Sequence, residues 1–118
     1  MAVILLADDE LTVLNVISTV LRSAGHQVLT AGNGLEALAV FRSYQDWIDL
    51  IITDLKMPVM DGFELIGRIR ETKPRAKIIC MSAYSEEECP PGVTFLQKPF
   101  MPEVVRTCVK GALTLQHI

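Results

Sequence analysis

Short aliphatic runs alternate along this chain with apolar stripes at helical spacing, and so regular an alternation leaves few folds open. Residues 2–7, 50–53 and 78–81 are almost continuously aliphatic, the pattern of strands covered on both faces. Residues 26–31 are more polar and suit an edge strand, and 93–97 suit the other edge. Between them, Val13, Leu14, Ile17, Val20 and Leu21 form one helical stripe, ended by Gly25 at a C′ position. Leu35, Leu38 and Ala39 begin a second stripe after Asn33-Gly34, which reads as turn and cap. Phe63, Ile66 and Ile69 form a third, stopped at Lys73-Pro74. Val104, Val105, Cys108, Val109 and Ala112 form the last, with Pro102 in its first turn. The order βαβαβαβ(α)βα predicts a three-layer α/β sandwich around a mostly parallel sheet, and right-handed crossovers prune its topologies.

Such a sheet brings the carboxyl ends of its strands to one crevice, where ligands bind. Asp8-Asp9, Asp54, Ser82 and Lys98 each follow one of the runs, so carboxylates, a hydroxyl and an ammonium are expected to converge there. The first βα turn reads Asp8-Asp9-Glu10, with no G-x-G-x-x-G for a dinucleotide pyrophosphate. Two carboxylates about 4 Å apart repel by roughly 4 kcal/mol at an effective dielectric near 20. Asp54 adds a third, so the cluster calls for a cation or for protonation. Oxygen ligands from few carboxylates, with water in the remaining positions, describe Mg²⁺. Taken singly, Asp8 or Asp9 reads as a helix cap, Lys98 as a solvated lysine before a proline turn, and Ser82 as another cap.

The 118 residues suit one domain, 1–118, with a single core. Half the residues are hydrophobic and 21% are charged, a globular composition. A net charge of -3 carries no basic footprint for nucleic acid, and no apolar stretch reaches the ~18 residues of a membrane span. The run 3–7 is too short for a signal h-region and lacks a basic flank. Cys80, Cys89 and Cys108 have no metal-ligand spacing and read as reduced cytosolic thiols. Tyr44 and Trp47 read as part of a loop anchored on the core edge.

The whole set is more specific than its members. Asp8-Asp9, Asp54-Leu55-Lys56-Met57-Pro58-Val59-Met60-Asp61-Gly62, Met81-Ser82-Ala83 and Lys98-Pro99-Phe100 together resemble the receiver domain of bacterial two-component response regulators, over essentially the full chain. The resemblance implies a flavodoxin-like fold with five parallel strands in the order 2-1-3-4-5. It implies that Asp54 accepts a phosphoryl group from a sensor histidine kinase or a histidine phosphotransfer protein. Asp8, Asp9, Asp54 and the backbone carbonyl of Lys56 would hold Mg²⁺, Ser82 would hydrogen-bond the phosphoryl group and Lys98 would pair with it. A cis Lys98-Pro99 peptide would aim the lysine inward. Ser82 and Phe95 match the family's switch pair, while Lys56, Ala83 and Tyr84 match positions that tune acyl-phosphate lifetime. A cytoplasmic regulator is implied, no enzyme beyond catalysing its own phosphorylation and dephosphorylation, with an unspecified downstream protein partner.

The chain departs from the family between Ser82 and Lys98, where it is about six residues short, roughly one and a half helical turns. Pro90 and Pro91 are incompatible with a helix interior, so the fourth helix is expected to be shortened or missing. Two alternatives stay open. One is a receiver-shaped interaction module that no longer signals through phosphate. The other is a phosphatase with an aspartyl nucleophile, although Lys56 stands where such enzymes carry a second acid. The phrases Tyr84-Ser85-Glu86-Glu87 and Phe95-Leu96-Gln97-Lys98-Pro99-Phe100 look like receivers fused to hybrid sensor kinases, so a stand-alone regulator and a domain of a longer kinase are both admitted.

Overall fold

The computed structural model describes residues 1–83 and 89–114. Its elements run β1 (Val3–Ala7), α1 (Leu11–Ser23), β2 (Gln27–Ala31), α2 (Gly34–Tyr44), β3 (Leu50–Asp54), α3 (Gly62–Thr72), β4 (Ile78–Ser82), β5 (Thr94–Gln97) and α4 (Pro102–Thr114). The strands form one parallel sheet in the order β2-β1-β3-β4-β5, as the resemblance implies.

The aliphatic runs have a direct cause. Successive side chains on a strand point to opposite faces, and here both faces are covered. Ile4, Leu6, Leu50, Ile52, Ile79 and Met81 pack with Ile17 and Leu21 of α1 and Val105 and Val109 of α4. Leu5, Ala7, Ile51, Ile78 and Cys80 pack on the other side with Phe41 of α2 and Leu65, Ile66 and Ile69 of α3. The edge strands β2 and β5 carry exposed positions and are the more polar ones.

Helix ends follow the sequence signals. Gly25, at φ +92°, closes α1: its N–H donates to the Arg22 carbonyl and that of His26 to the Leu21 carbonyl, the paired bonds of a Schellman stop. Asn33 Oδ1 accepts the Glu36 N–H at 2.8 Å and Asp61 Oδ1 the Glu64 N–H at 2.9 Å, capping α2 and α3. Helix α3 ends at Thr72, just ahead of Lys73-Pro74. Between β4 and β5, described residues 89–93 contain no helix; the rest of the expected short fourth helix, 84–88, lies outside the described residues. Arg70 of α3 donates to the Pro91 carbonyl at 2.8 Å, and Cys89 and Val93 pack partly buried on the α2–α3 side.

Local expectations are corrected in two places. On α2 the core face is Ala37, Leu38 and Phe41, while Leu35 and Ala39 face solvent. Trp47 is 71% exposed and Tyr44, the last residue of α2, is half exposed. Ile48 is the residue buried there, so it anchors this turn and the two aromatics face outward.

Candidate functional site

Three strand ends and their loops deliver the side chains. Asp8 and Asp9 follow β1, Asp54 closes β3 and Lys98 follows β5. Lys98 Nζ donates to Asp8 Oδ2 at 2.7 Å and to Asp54 Oδ2 at 3.0 Å. One carboxylate oxygen from each of Asp8, Asp9 and Asp54 lies within 4.8 Å of the others. Asp8 is fully buried, Asp54 nearly so, and Asp9 faces solvent. Ser82, at the end of β4, is buried, and its carbonyl accepts the Lys98 N–H at 2.8 Å. The Lys98-Pro99 peptide is cis.

The cluster sets three carboxylates against one ammonium. Burial pushes the Asp8 carboxyl above its usual range, against the opposing pull of Lys98 and of the Glu10 N–H that donates to Asp8 Oδ1 at 3.0 Å. For Lys98, burial alone would lower the ammonium's pKa. Its hydrogen bonds to Asp8 and Asp54 and their charges outweigh this and raise it, so the side chain stays charged at neutral pH. The surplus of buried negative charge, the all-oxygen donor set and one open side at Asp9 together suit a hard divalent cation such as Mg²⁺.

The helix-cap reading of Asp8 and Asp9 fails here. Glu10 is the N-cap of α1 and makes no side-chain cap, while Asp8 is spent on Lys98 and the Glu10 amide. Lys56 lies two residues past Asp54, and its N–H donates to Asp54 Oδ1 at 3.4 Å. Ala83 is exposed beside Ser82, whereas Tyr84 falls outside the described residues. Phe95 is partly buried on the α2–α3 side, level with Cys80 of β4. Strand alternation puts it on the same face as Ser82, two residues further from the strand end.

Two residues at the site escape a reading by charge. Thr53 is fully buried, and its hydroxyl donates to the Asp54 carbonyl at 2.8 Å. Gly62 opens α3 against the same carbonyl, where a Cβ would collide with Asp54 O and Leu55 Cα, and its N–H donates to the Leu55 carbonyl at 2.9 Å. A hydroxyl closing an otherwise aliphatic run just before the acid was the available signal for Thr53.

A cleft of about 420 Å³, lined by Asp9, Lys56, Met57, Pro58, Asp61 and Phe63, opens beside the carboxylates. A larger cavity, about 850 Å³, lies at the opposite end of the sheet, among residues that include Met1, His26, Asp49, Lys73 and Lys77. There the ammonium groups of Lys73 and Lys77 donate to the carbonyls of Gln45 and Leu113, so these lysines tie down the C-terminal ends of α2 and α4.

A family model described as the response regulator receiver domain matches residues 4–110. The chain is 34% identical to the sensor kinase CckA of Brucella abortus over 98% of its own length, which is 13% of that protein. It is 31% identical to sporulation initiation phosphotransferase F of Bacillus subtilis over 96% of its length and 94% of that protein. A crystal structure of response regulator protein TrrA from Thermotoga maritima, in complex with Mg²⁺ and BeF, superposes with a TM-score of 0.85 at 34% identity, covering 95% of this chain and 99% of that one.

Proposed function

This chain belongs to the response regulator receiver domain family, and from that premise we propose that Asp54 is the residue that carries the phosphoryl group. Receiver domains are phospho-accepting regulators rather than enzymes in their own right, and they take phosphate from histidine kinases or phosphotransfer proteins. The single observation that carries the residue-level reading is Lys98 Nζ bridging Asp8 and Asp54, partners 90 and 44 positions away in sequence.

Asp8, Asp9 and Asp54 would hold Mg²⁺ through their carboxylates, and Lys56 through its carbonyl. The ion would supply positive charge to the transferring phosphoryl oxygens. Phosphoryl transfer asks a protein mainly for positioning and charge neutralisation. An Asp54 carboxylate oxygen forms the new O–P bond while the P–N bond to the donor histidine breaks, and the electron pair leaves with the imidazole nitrogen. Lys98, already on Asp54, pairs with the added negative charge, and the Ser82 hydroxyl donates to a phosphoryl oxygen. Ala83 leaves room for the donor to approach. At most the domain catalyses its own phosphorylation and dephosphorylation, with Lys56 and Tyr84 tuning how long the acyl phosphate survives.

The phosphoryl group adds about −1.5 to −2 charges at one point. Pulling Ser82 toward it, with Phe95 following on the same face, is the switch that presents a changed surface to a downstream protein. Among the described residues no helix is long and apolar enough to cross a membrane, which suits a cytoplasmic setting. The named relatives include a protein nearly all of which this chain matches and one of which it matches about an eighth. A stand-alone regulator and one domain of a longer kinase are both precedented.

A small acyl-phosphate donor with Mg²⁺ is expected to add one phosphoryl group by intact mass, and Asp54→Asn is expected to add none. Equal labelling of the variant would overturn the assignment.

A further inference from the structure

The phosphoacceptor hangs from a peptide plane that is gripped on two sides. From below, the buried Thr53 hydroxyl donates to the Asp54 carbonyl at 2.8 Å. From the α3 side, Gly62 presses its backbone so close to that carbonyl that no Cβ fits. The other edge of the same peptide is held as well, because the Leu55 N–H donates to the Met81 carbonyl at 3.2 Å, and the carbonyl of the next peptide, that of Leu55, accepts the Gly62 N–H at 2.9 Å. Thr53 is the polar residue between the aliphatic run of β3 and Asp54, flanked in register by Ala7 and Cys80. Packing alone would be served by valine, which has the same shape without the hydroxyl. The hydroxyl's acceptor is the carbonyl of the residue that does the chemistry.

We propose that Thr53 is a positioning residue, whose hydroxyl fixes the Asp54–Leu55 peptide and so aims both the Asp54 carboxylate and the Lys56 carbonyl at the metal and the phosphoryl group. The inference rests on the phosphoacceptor reading above. It adds a residue that touches neither ion nor phosphate. A hydroxyl that orients a ligand in this way acts as outer-shell residues do in metal sites, where losing one weakens binding by about tenfold or more.

Four proteins decide it: wild type, Thr53→Val, Thr53→Ser and Thr53→Ala. Mg²⁺ affinity is measured by titration without any phosphodonor, the amide shifts of residues 54–56 are recorded metal-free, and phosphorylation by an acyl-phosphate donor is followed at saturating Mg²⁺. Thr53→Val is expected to bind Mg²⁺ about tenfold more weakly and to move the 54–56 amides before any metal is added. Thr53→Ser is expected to stay within about threefold of wild type, because it keeps the donor. Thr53→Ala controls for the lost methyl and should follow Thr53→Val, which keeps the comparison decisive if valine fails to fold. Wild-type affinity in Thr53→Val, or equal losses in Thr53→Ser and Thr53→Ala, would overturn the proposal, since the hydroxyl would then be irrelevant. A wild-type protein that binds no Mg²⁺ would overturn the phosphoacceptor reading itself, and this inference with it.

Discussion

Asp8 and Lys98 touch, yet they pull the stability of the metal-free protein in opposite directions. Burial raises the Asp8 pKa, so the fold favours its protonated form. Its stabilising contribution is complete below the ordinary value of 3.8 and is lost as pH climbs through the raised one. At neutral pH its carboxylate is therefore a cost. Asp8→Asn is expected to stabilise the metal-free protein at pH 7 by about 1 kcal/mol, to gain nothing once the solution is acid enough to protonate Asp8, and to lose the stabilisation that Mg²⁺ gives wild type. Denaturant midpoints at two pH values, with and without Mg²⁺, check all three. For Lys98 it is the charged form that the fold favours, and its contribution is lost only in a much higher pH window. Its pKa is raised, so its contribution persists from neutral pH to the ordinary lysine value of 10.5 and fades only above it. Lys98→Met leaves the buried Asp8 without its cation and should cost about 2–3 kcal/mol in the absence of metal. Saturating Mg²⁺ should recover most of that, and a loss that Mg²⁺ does not touch would show that the lysine's role is packing. At this scale the charged site residues were legible, because a charge straight after an aliphatic run has few explanations. Thr53 was not, because a threonine is at home in any strand.

The elements were legible where both faces of a strand are buried and where a helix carries its own stop signal. The central strands β1, β3 and β4 fall within a residue of the aliphatic runs because each of their apolar side chains packs into one of two cores. The turn before β3 misled, because Tyr44 and Trp47 are large and apolar while the sole deeply buried side chain at that corner is Ile48. The loop from β3 to α3 holds the least obvious cost. Val59 sits there at φ +70°, 76% exposed, a conformation a β-branched side chain resists. Strain of about 2 kcal/mol, less about 1 kcal/mol for the extra freedom glycine gives the unfolded chain, leaves a net gain for replacing it. Val59→Gly is expected to stabilise the protein by about 1 kcal/mol, read as a shifted urea midpoint at unchanged m value. An unchanged or lower midpoint would mean that the loop holds Val59 without strain.

For the whole molecule, strictly alternating elements were enough to predict a parallel sheet and one crevice at its carboxyl edge. The strand order 2-1-3-4-5 was reached through resemblance, since alternation and handedness alone admit more than one order. The order matters because β1 and β3 are neighbours and β3 and β4 are neighbours. That adjacency is what puts Asp8, Asp54 and Ser82 side by side, with Lys98 reaching in from the far strand. Size does not mark the site: the cavity of about 850 Å³ at the other end of the sheet is larger than the cleft of about 420 Å³ beside the carboxylates, while the chemistry gathers where charge accumulates. Phosphorylation at this rim on Asp54 can be read directly. Borohydride reduces an aspartyl phosphate to homoserine, so labelling with an acyl-phosphate donor and Mg²⁺, reducing, and sequencing the peptides locates the acceptor. Homoserine is expected at position 54 only, and nowhere when Mg²⁺ is chelated. Homoserine at position 8 or 9, or a label indifferent to Mg²⁺, would contradict the assignment.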